Sequence, residues 1–206
     1  MTDILNQAAR LTELGVHELA CIGADRLGAL AEQLRERATE SSVLVVHPSL
    51  VPASKLASLL ELDGKPGFVV TDMTDVDDFA PIDGVAIPDQ LLYLIDDVQR
   101  GDEYANWSPD EALPAISARG RRPLTLSEGI SWLLQQPEQL EPNKCFMTIA
   151  SRKLKAKGAG QDARTPAIWI SRGTGRDGRE NNGAPKVGWC WAGNRHMWLG
   201  VASAVR

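Results

Sequence analysis

Three indoles, a thiol, an imidazole and a guanidinium fall within thirteen residues at Val187-Gly-Trp-Cys-Trp-Ala-Gly-Asn-Arg-His-Met-Trp-Leu199. Gly193-Asn194, set between two strand-like runs, predicts a two-residue turn that pairs Trp191 with His196, Cys190 with Met197 and Trp189 with Trp198. Strand alternation then puts Cys190, Met197, Leu199 and Val201 on one face. Val187, Trp189, Trp191, His196 and Trp198 take the other, with Asn194 and Arg195 at the tip. This register keeps the Cys190 thiol away from the His196 imidazole, so no thiol–imidazole dyad is expected and Cys190 reads as a small buried hydrophobe. The clustered indoles have two uses. Helices or a loop can cover them, each burying about 200 Å², or they can floor a groove for a planar or anionic ligand.

A second source of charge lies at Ser171-Arg-Gly-Thr-Gly-Arg-Asp-Gly-Arg179, which contains the string G-x-G-x-x-G. A dinucleotide fingerprint needs a helix after that string to receive the pyrophosphate. Here Glu180-Asn-Asn-Gly-Ala-Pro185 follows, which is turn material. What remains is a glycine-rich loop whose Arg172, Arg176 and Arg179 could meet an anion or simply be solvated. Five carboxylates between Asp72 and Asp83 offer oxygen ligands for a hard cation, with Asp72, Asp75 and Asp77 as weak candidates. The loop lacks the EF-hand glycine and terminal Glu, so capping, turn formation or pairing with basic residues is the expected use and no metal site is assigned. The run Arg152-Lys-Leu-Lys-Ala-Lys-Gly158 could track a phosphate backbone. A pI of about 5.3 argues against it, and nucleic acid is not the expected partner. His17 and His47 have no Ser, Cys or carboxylate at a catalytic spacing. No catalytic residue and no cofactor are assigned.

The elements that must carry these groups are readable from periodicity. Ile4, Leu5, Ala8, Leu11 and Leu14, then Leu27, Leu30, Ala31 and Leu34, mark a helical arm over residues 1–40. Short apolar runs at 42–47, 68–70 and 91–95 predict buried strands, and Pro52 opens a helix through Leu60. Ser108-Pro-Asp-Glu111 and Thr125-Leu-Ser-Glu128 are capping boxes that begin two further helices. From Cys145 four strands are predicted, at 145–151, 167–171, 187–191 and 196–202, joined in sequence order as an antiparallel meander over 145–203. The expected architecture is one α+β unit of 206 residues, with the meander packed on helices.

Composition narrows the class. The chain is 43% hydrophobic and 24% charged, in the range of globular proteins, and has no apolar run of membrane-spanning length or secretory pattern at its start, so a cytoplasmic location is expected. Three widely spaced cysteines match neither a disulfide framework nor a zinc site. Residues 1–150 hold 11 Lys and Arg against 24 Asp and Glu, a charge of −13; residues 151–206 hold 11 against 3, a charge of +8. The basic part either meets an external anion or is neutralised by the acidic part.

The segments Asp102-Glu-Tyr-Ala-Asn-Trp-Ser-Pro-Asp-Glu-Ala-Leu-Pro114, Arg122-Pro-Leu-Thr-Leu-Ser-Glu-Gly-Ile130, Ala163-Arg-Thr-Pro-Ala-Ile-Trp-Ile-Ser171 and Lys186-Val-Gly-Trp-Cys-Trp-Ala-Gly-Asn194 resemble a family of uncharacterised actinobacterial proteins, one of the domains of unknown function. The resemblance runs from about residue 40 onward. It implies an intracellular bacterial protein and carries no reaction, cofactor or catalytic residue. From the residues themselves, the expected function is binding of a small anionic or aromatic ligand at Trp189, Trp191, Asn194, Arg195, His196, Trp198, Arg172, Arg176 and Arg179. The alternative is a protein-interaction or homo-oligomerisation module.

Overall fold

A computed structural model describes residues 3–155 and 160–205, with the side chain of Arg176 outside that description. The helical arm forms as α1 (Ile4–Glu13), α2 (Val16–Leu19) and α3 (Ala24–Glu32), which bury Ile4, Ala8, Leu11, Val16 and Leu27. Gly15, at φ +81°, makes the left-handed turn between the first two. Next come β1 (Val43–Val46), α4 (Ala53–Ala57), the hairpin of β2 (Glu61–Leu62) with β3 (Lys65–Pro66), β4 (Phe68–Val69), β5 (Ala80–Pro81) and β6 (Leu92–Ile95). Both capping boxes are present, opening α5 (Pro109–Ala118) and, after β7 (Arg121–Pro123), α6 (Leu126–Gln135). The C-terminal strands are β8 (Cys145–Met147), β9 (Ser151–Arg152), β10 (Arg164–Ile170), β11 (Pro185–Trp191), β12 (Leu199–Val201) and β13 (Ser203–Val205).

The α+β class expected from the sequence is observed, with a change in the sheet. β8, β10 and β11 form an antiparallel meander, but the full sheet has five strands in the order β12-β8-β10-β11-β4, with both outer strands parallel to their neighbours. The expected hairpin across Gly193-Asn194 does not form. A turn is there, with the Asn194 N–H donating to the Trp191 carbonyl at 2.9 Å. The outer edge of β11 is already occupied by β4, which pairs Phe68 with Lys186 and Val69 with Val187. The chain therefore crosses to the other edge, where Leu199, Gly200 and Val201 pair with Cys145, Phe146 and Met147. The strand expected over 145–151 also divides. Its end, β9, pairs with β5, and β13 pairs with β7.

α6 is the centre of the fold. Every residue from Leu126 to Leu134 is buried, because the antiparallel β1–β6 ribbon lies on one side and the five-stranded sheet on the other. Its approach to the sheet requires glycine at 129, where a Cβ would stand 2.5 Å from Thr148 Cγ2. Trp132 packs tilted against Phe146 with ring centroids 5.2 Å apart. Ser131 Oγ accepts from the Val46 N–H at 3.1 Å, tying the helix to β1. Gln7 of α1 joins the same strand, accepting from the Leu44 N–H at 2.7 Å and donating to the Ser42 carbonyl at 2.9 Å.

Glu128, the closing residue of the second capping box, has no exposed surface. Its carboxylate accepts from the Thr125 N–H at 2.7 Å, from both Arg122 Nη atoms at 2.9 and 2.7 Å, and from Tyr93 Oη at 3.2 Å. Burial and the neighbouring negative charge push the Tyr93 phenol well above its ordinary range, so it stays a neutral donor. Replacing one member of a desolvated pair leaves the other uncompensated. Glu128→Gln is therefore expected to lower the unfolding free energy by about 3–5 kcal/mol in urea denaturation, and Glu128→Leu with Arg122→Leu to cost less than either single change. A loss below about 1 kcal/mol in Glu128→Gln would show that the pair carries little of the packing.

Candidate functional site

The pairing of Pro166 with Trp189 and of Trp169 with Lys186 sends Trp189 and Trp169 to opposite faces of the sheet. That separates the indoles that the hairpin register would have put together. Trp189 and Trp191 lie next to each other, with centroids 4.6 Å apart, and the Arg164 guanidinium is 6.0 Å from the Trp189 ring. Trp198 sits instead beside Trp169 at 6.1 Å, edge to face, and His196 lies 5.6 Å beyond it. Met197, expected on one strand face with Cys190, Leu199 and Val201, is exposed.

On the Trp169 face the sheet floors a cavity of about 490 Å³. Three neighbouring strands meet there at one level. Lys186 is opposite Trp169, and continuing the β8–β10 register sets Cys145 on the other side. Gly188 lets the indole lie flat across β11, since a Cβ there would stand 2.5 Å from its Cη2. The Lys186 ammonium is 4.6 Å from the Trp169 ring centroid and donates to both Asp177 carboxylate oxygens, at 2.8 and 2.7 Å. Asp177 also accepts from Ser171 Oγ at 2.8 Å and, through its carbonyl, from Asn181 Nδ2 at 2.7 Å. Asp177, half-buried, thus ties the 171–183 loop together, its carboxylate to Ser171 and Lys186 and its carbonyl to Asn181. The glycine-rich string runs into two single-turn 3-10 helices, Gly175–Asp177 and Arg179–Asn181, and then into β11.

With Lys186 neutralised by Asp177, Arg172 brings to the rim a charge that no carboxylate among the described residues pairs. It is exposed, and its described hydrogen bond is a 3.4 Å contact to Asn143 Oδ1. Arg179 is exposed on the same loop, and the Arg176 side chain lies outside the described residues. Cys145, whose thiol contacts the Glu141 carbonyl at 3.7 Å, is pushed up in pKa by burial and is a protonated, unreactive surface at neutral pH. Cys190 is pushed up to about 12 for the same reason. The arrangement can stack a flat group on an indole and receive a negative group at a guanidinium.

Of the residues singled out in the sequence, Trp198 and Arg172 line this cavity and Trp189, Trp191, Asn194 and Arg195 do not. Arg195 pairs with Glu111 beside Trp107, at a separate hollow. His196 Nε2 is buried without a hydrogen-bond partner among the described residues, and burial lowers the pKa of the ring. Trp169, Lys186, Asp177 and Cys145 were missed. Alternation along β10 and β11 carries the signal for Trp169 and Lys186, once the register of those two strands is known.

The acidic loop faces the basic part of the chain. Asp75 receives Arg164 through two bonds of 3.0 and 2.6 Å and Lys153 at 2.9 Å, while Lys153 also reaches Asp78 at 2.6 Å. Asp77 accepts from the Ser54 N–H and Oγ at 2.8 and 2.6 Å. Asp72 has partners as well. Of the basic run 152–158, residues 156–158 lie outside the described residues.

The family model described as "Family of unknown function (DUF5701)" matches residues 10–206. The chain belongs to that family. The DUF5701 match thus takes in the helical arm from residue 10 onward, ahead of the segment from about residue 40 where the sequence resemblance begins. None of the curated proteins and none of the solved structures compared with this DUF5701 chain matches it. Among the described residues no helix is long and apolar enough to cross a membrane.

The bond to Arg164, with Lys153 beside it, holds the Asp75 carboxyl well below the usual carboxylate range. A carboxyl depressed in the folded state contributes stability above its unfolded pKa of about 4 and loses it as pH falls toward the folded value. The urea midpoint is therefore expected to fall between about pH 5 and pH 2 more steeply in the wild type than in Asp75→Asn. Identical slopes would show that the link is not held in solution.

Proposed function

We propose that this DUF5701 protein binds a small planar molecule carrying an anionic group in the cavity floored by Trp169. The observation that carries the reading is that two indoles and the sparsely bonded guanidinium of Arg172 open on one 490 Å³ concavity, a size suited to a metabolite. The planar part stacks on Trp169 beside Trp198. The anionic part accepts from Arg172, for whose fork no carboxylate among the described residues competes. Lys186 and Asp177 keep the floor and loop in place, and they are positioning residues in this scheme.

The test is titration of intrinsic tryptophan fluorescence with nucleotides, phosphorylated metabolites and aromatic carboxylates. Saturable quenching is expected with at least one class, weakened by roughly tenfold in Arg172→Ala, the loss of about 1.4 kcal/mol from one charge-assisted contact. Arg195→Ala is expected to bind as the wild type does, because Arg195 is paired with Glu111 elsewhere. Signals that stay flat across all three classes would remove the reading.

A second reading, a protein-interaction surface, is favoured by Trp107, Trp191 and Met197, which are 41%, 47% and 82% exposed. They lie on segments joined by the Asn106 N–H to His196 carbonyl bond at 2.8 Å and the Asp110 N–H to Ala192 carbonyl bond at 3.4 Å. Sedimentation velocity is expected to show concentration-dependent self-association that Trp191→Lys abolishes. A monomer at every concentration would count against that surface.

A further inference from the structure

Binding by stacking and charge leaves an amine unused at the floor of the Trp169 cavity. Lys186 lines that cavity, and its side chain is 12% exposed. The Nζ atom lies over the Trp169 ring, 4.6 Å from the centroid, and donates to both Asp177 oxygens at 2.8 and 2.7 Å. Asp177 is oriented in turn, because Ser171 Oγ donates to it at 2.8 Å and the Gly173 N–H fixes that hydroxyl at 3.1 Å. An amine, a carboxylate within proton-transfer distance and a third group that aims the carboxylate are the parts that activate a lysine toward carbonyl carbon.

A structural ion pair needs only the first two. Lys144 and Lys153 also pair with carboxylates, at Glu141 and at Asp75 and Asp78. Among the described residues no aromatic ring lies beneath either of those ammonium groups, whereas Lys186 has an indole under it and a 490 Å³ space beside it.

We infer that Lys186 forms an imine with a planar aromatic aldehyde or ketone that carries an anionic group. This rests on the binding reading above and names the ligand class of that same site. Asp177 takes one proton from the Lys186 ammonium, and the freed lone pair attacks the carbonyl carbon, moving the C=O π pair onto oxygen. A second N–H proton passes to that oxygen and gives the carbinolamine. Asp177 returns its proton to the new hydroxyl, which leaves as water while the nitrogen lone pair closes the C=N bond. One water is lost and nothing is oxidised or reduced. The iminium carries the same single positive charge as the ammonium, so Asp177 keeps a partner throughout. Because Nζ starts over the indole, the condensed carbon and the ring conjugated with it are set over Trp169, and the anionic group is left for Arg172 at the rim.

The probe is para-formylbenzoate, with benzaldehyde as the uncharged aldehyde and para-(hydroxymethyl)benzoate as the anion without a carbonyl. The full chain is incubated with either aldehyde and sodium cyanoborohydride at pH 7, and mass-spectrometric peptide mapping follows all seven lysines. Hydride from the borohydride fixes the imine as a secondary amine. Labelling by para-formylbenzoate is expected to saturate at Lys186, to run at least about tenfold faster there than at any other lysine, and to be blocked by para-(hydroxymethyl)benzoate. Arg172→Ala is expected to cut the preference for para-formylbenzoate over benzaldehyde roughly tenfold. Lys186→Arg, which keeps a cation for Asp177 and cannot condense, is expected to lose this label with its melting temperature little changed. Labelling spread evenly over the lysines, or a preference for the charged aldehyde that Arg172→Ala leaves intact, would overturn the assignment. Saturable tryptophan quenching by para-(hydroxymethyl)benzoate with Lys186 unlabelled would overturn the imine alone and leave the binding reading standing. Neither quenching nor labelling would remove both.

Discussion

A carboxylate with no access to water must be neutralised where it stands, and Glu128 is neutralised by groups from three separate parts of the chain. Thr125 caps its own helix, Arg122 comes from the strand before it and Tyr93 from β6, 35 residues back in the chain. Since none of these can leave without stranding a charge, the start of α6 is fixed relative to both β-layers. The rest of the molecule is arranged about that helix. Its glycine at 129 sets how closely the five-stranded sheet approaches, and Ser131 and Gln7 settle the ribbon and the helical arm on its other side.

The large cavity follows from this packing by way of the sheet. One face of β8, β10 and β11 is consumed by α6, through Phe146, Thr148 and Ile168, which contact Gly129. The opposite face carries Trp169, Lys186 and Cys145, and the chain covers it only in part. The crossing from β11 to β12 brings Trp198 and His196 to one side, while Asp177 gathers the 171–183 loop at the other. What is left between them is concave, half aromatic and half polar, with Arg172 on its edge.

Part of the charge asymmetry of the sequence is met within the molecule. Asp75, Asp78 and Glu111 of the acidic part meet Arg164, Lys153 and Arg195 of the basic part. This is the blander of the two uses open to the five-carboxylate loop, and it places Asp75 and Asp77 as anchors of loop to strand and of loop to helix. Arg172 and Arg179 are set apart by contrast, since the described residues offer them no carboxylate.

Local order was written in the residues themselves. The two capping boxes, the helical arm, the strands at 43–46, 68–69 and 92–95 and the α+β class all rest on interactions within a few positions, such as Ser108 and Thr125 accepting from amides three residues on. Strand partnership was not so written. The turn at Gly193-Asn194 was legible, but whether it closes a hairpin depends on whether the edge of β11 is vacant, and Phe68 and Val69, more than a hundred residues away, had already taken it. The change of partner leaves Leu199 and Val201 on the face that alternation gave them and moves the residues before them, Trp198 included, to the far edge of the sheet. For that reason the presence of aromatic and basic groups near the C-terminus could be read from the chain alone. That Trp198 stands with Trp169 and not with Trp189 is decided by the tertiary structure, where long-range pairing gives one edge of the sheet to β4 and the other to β12.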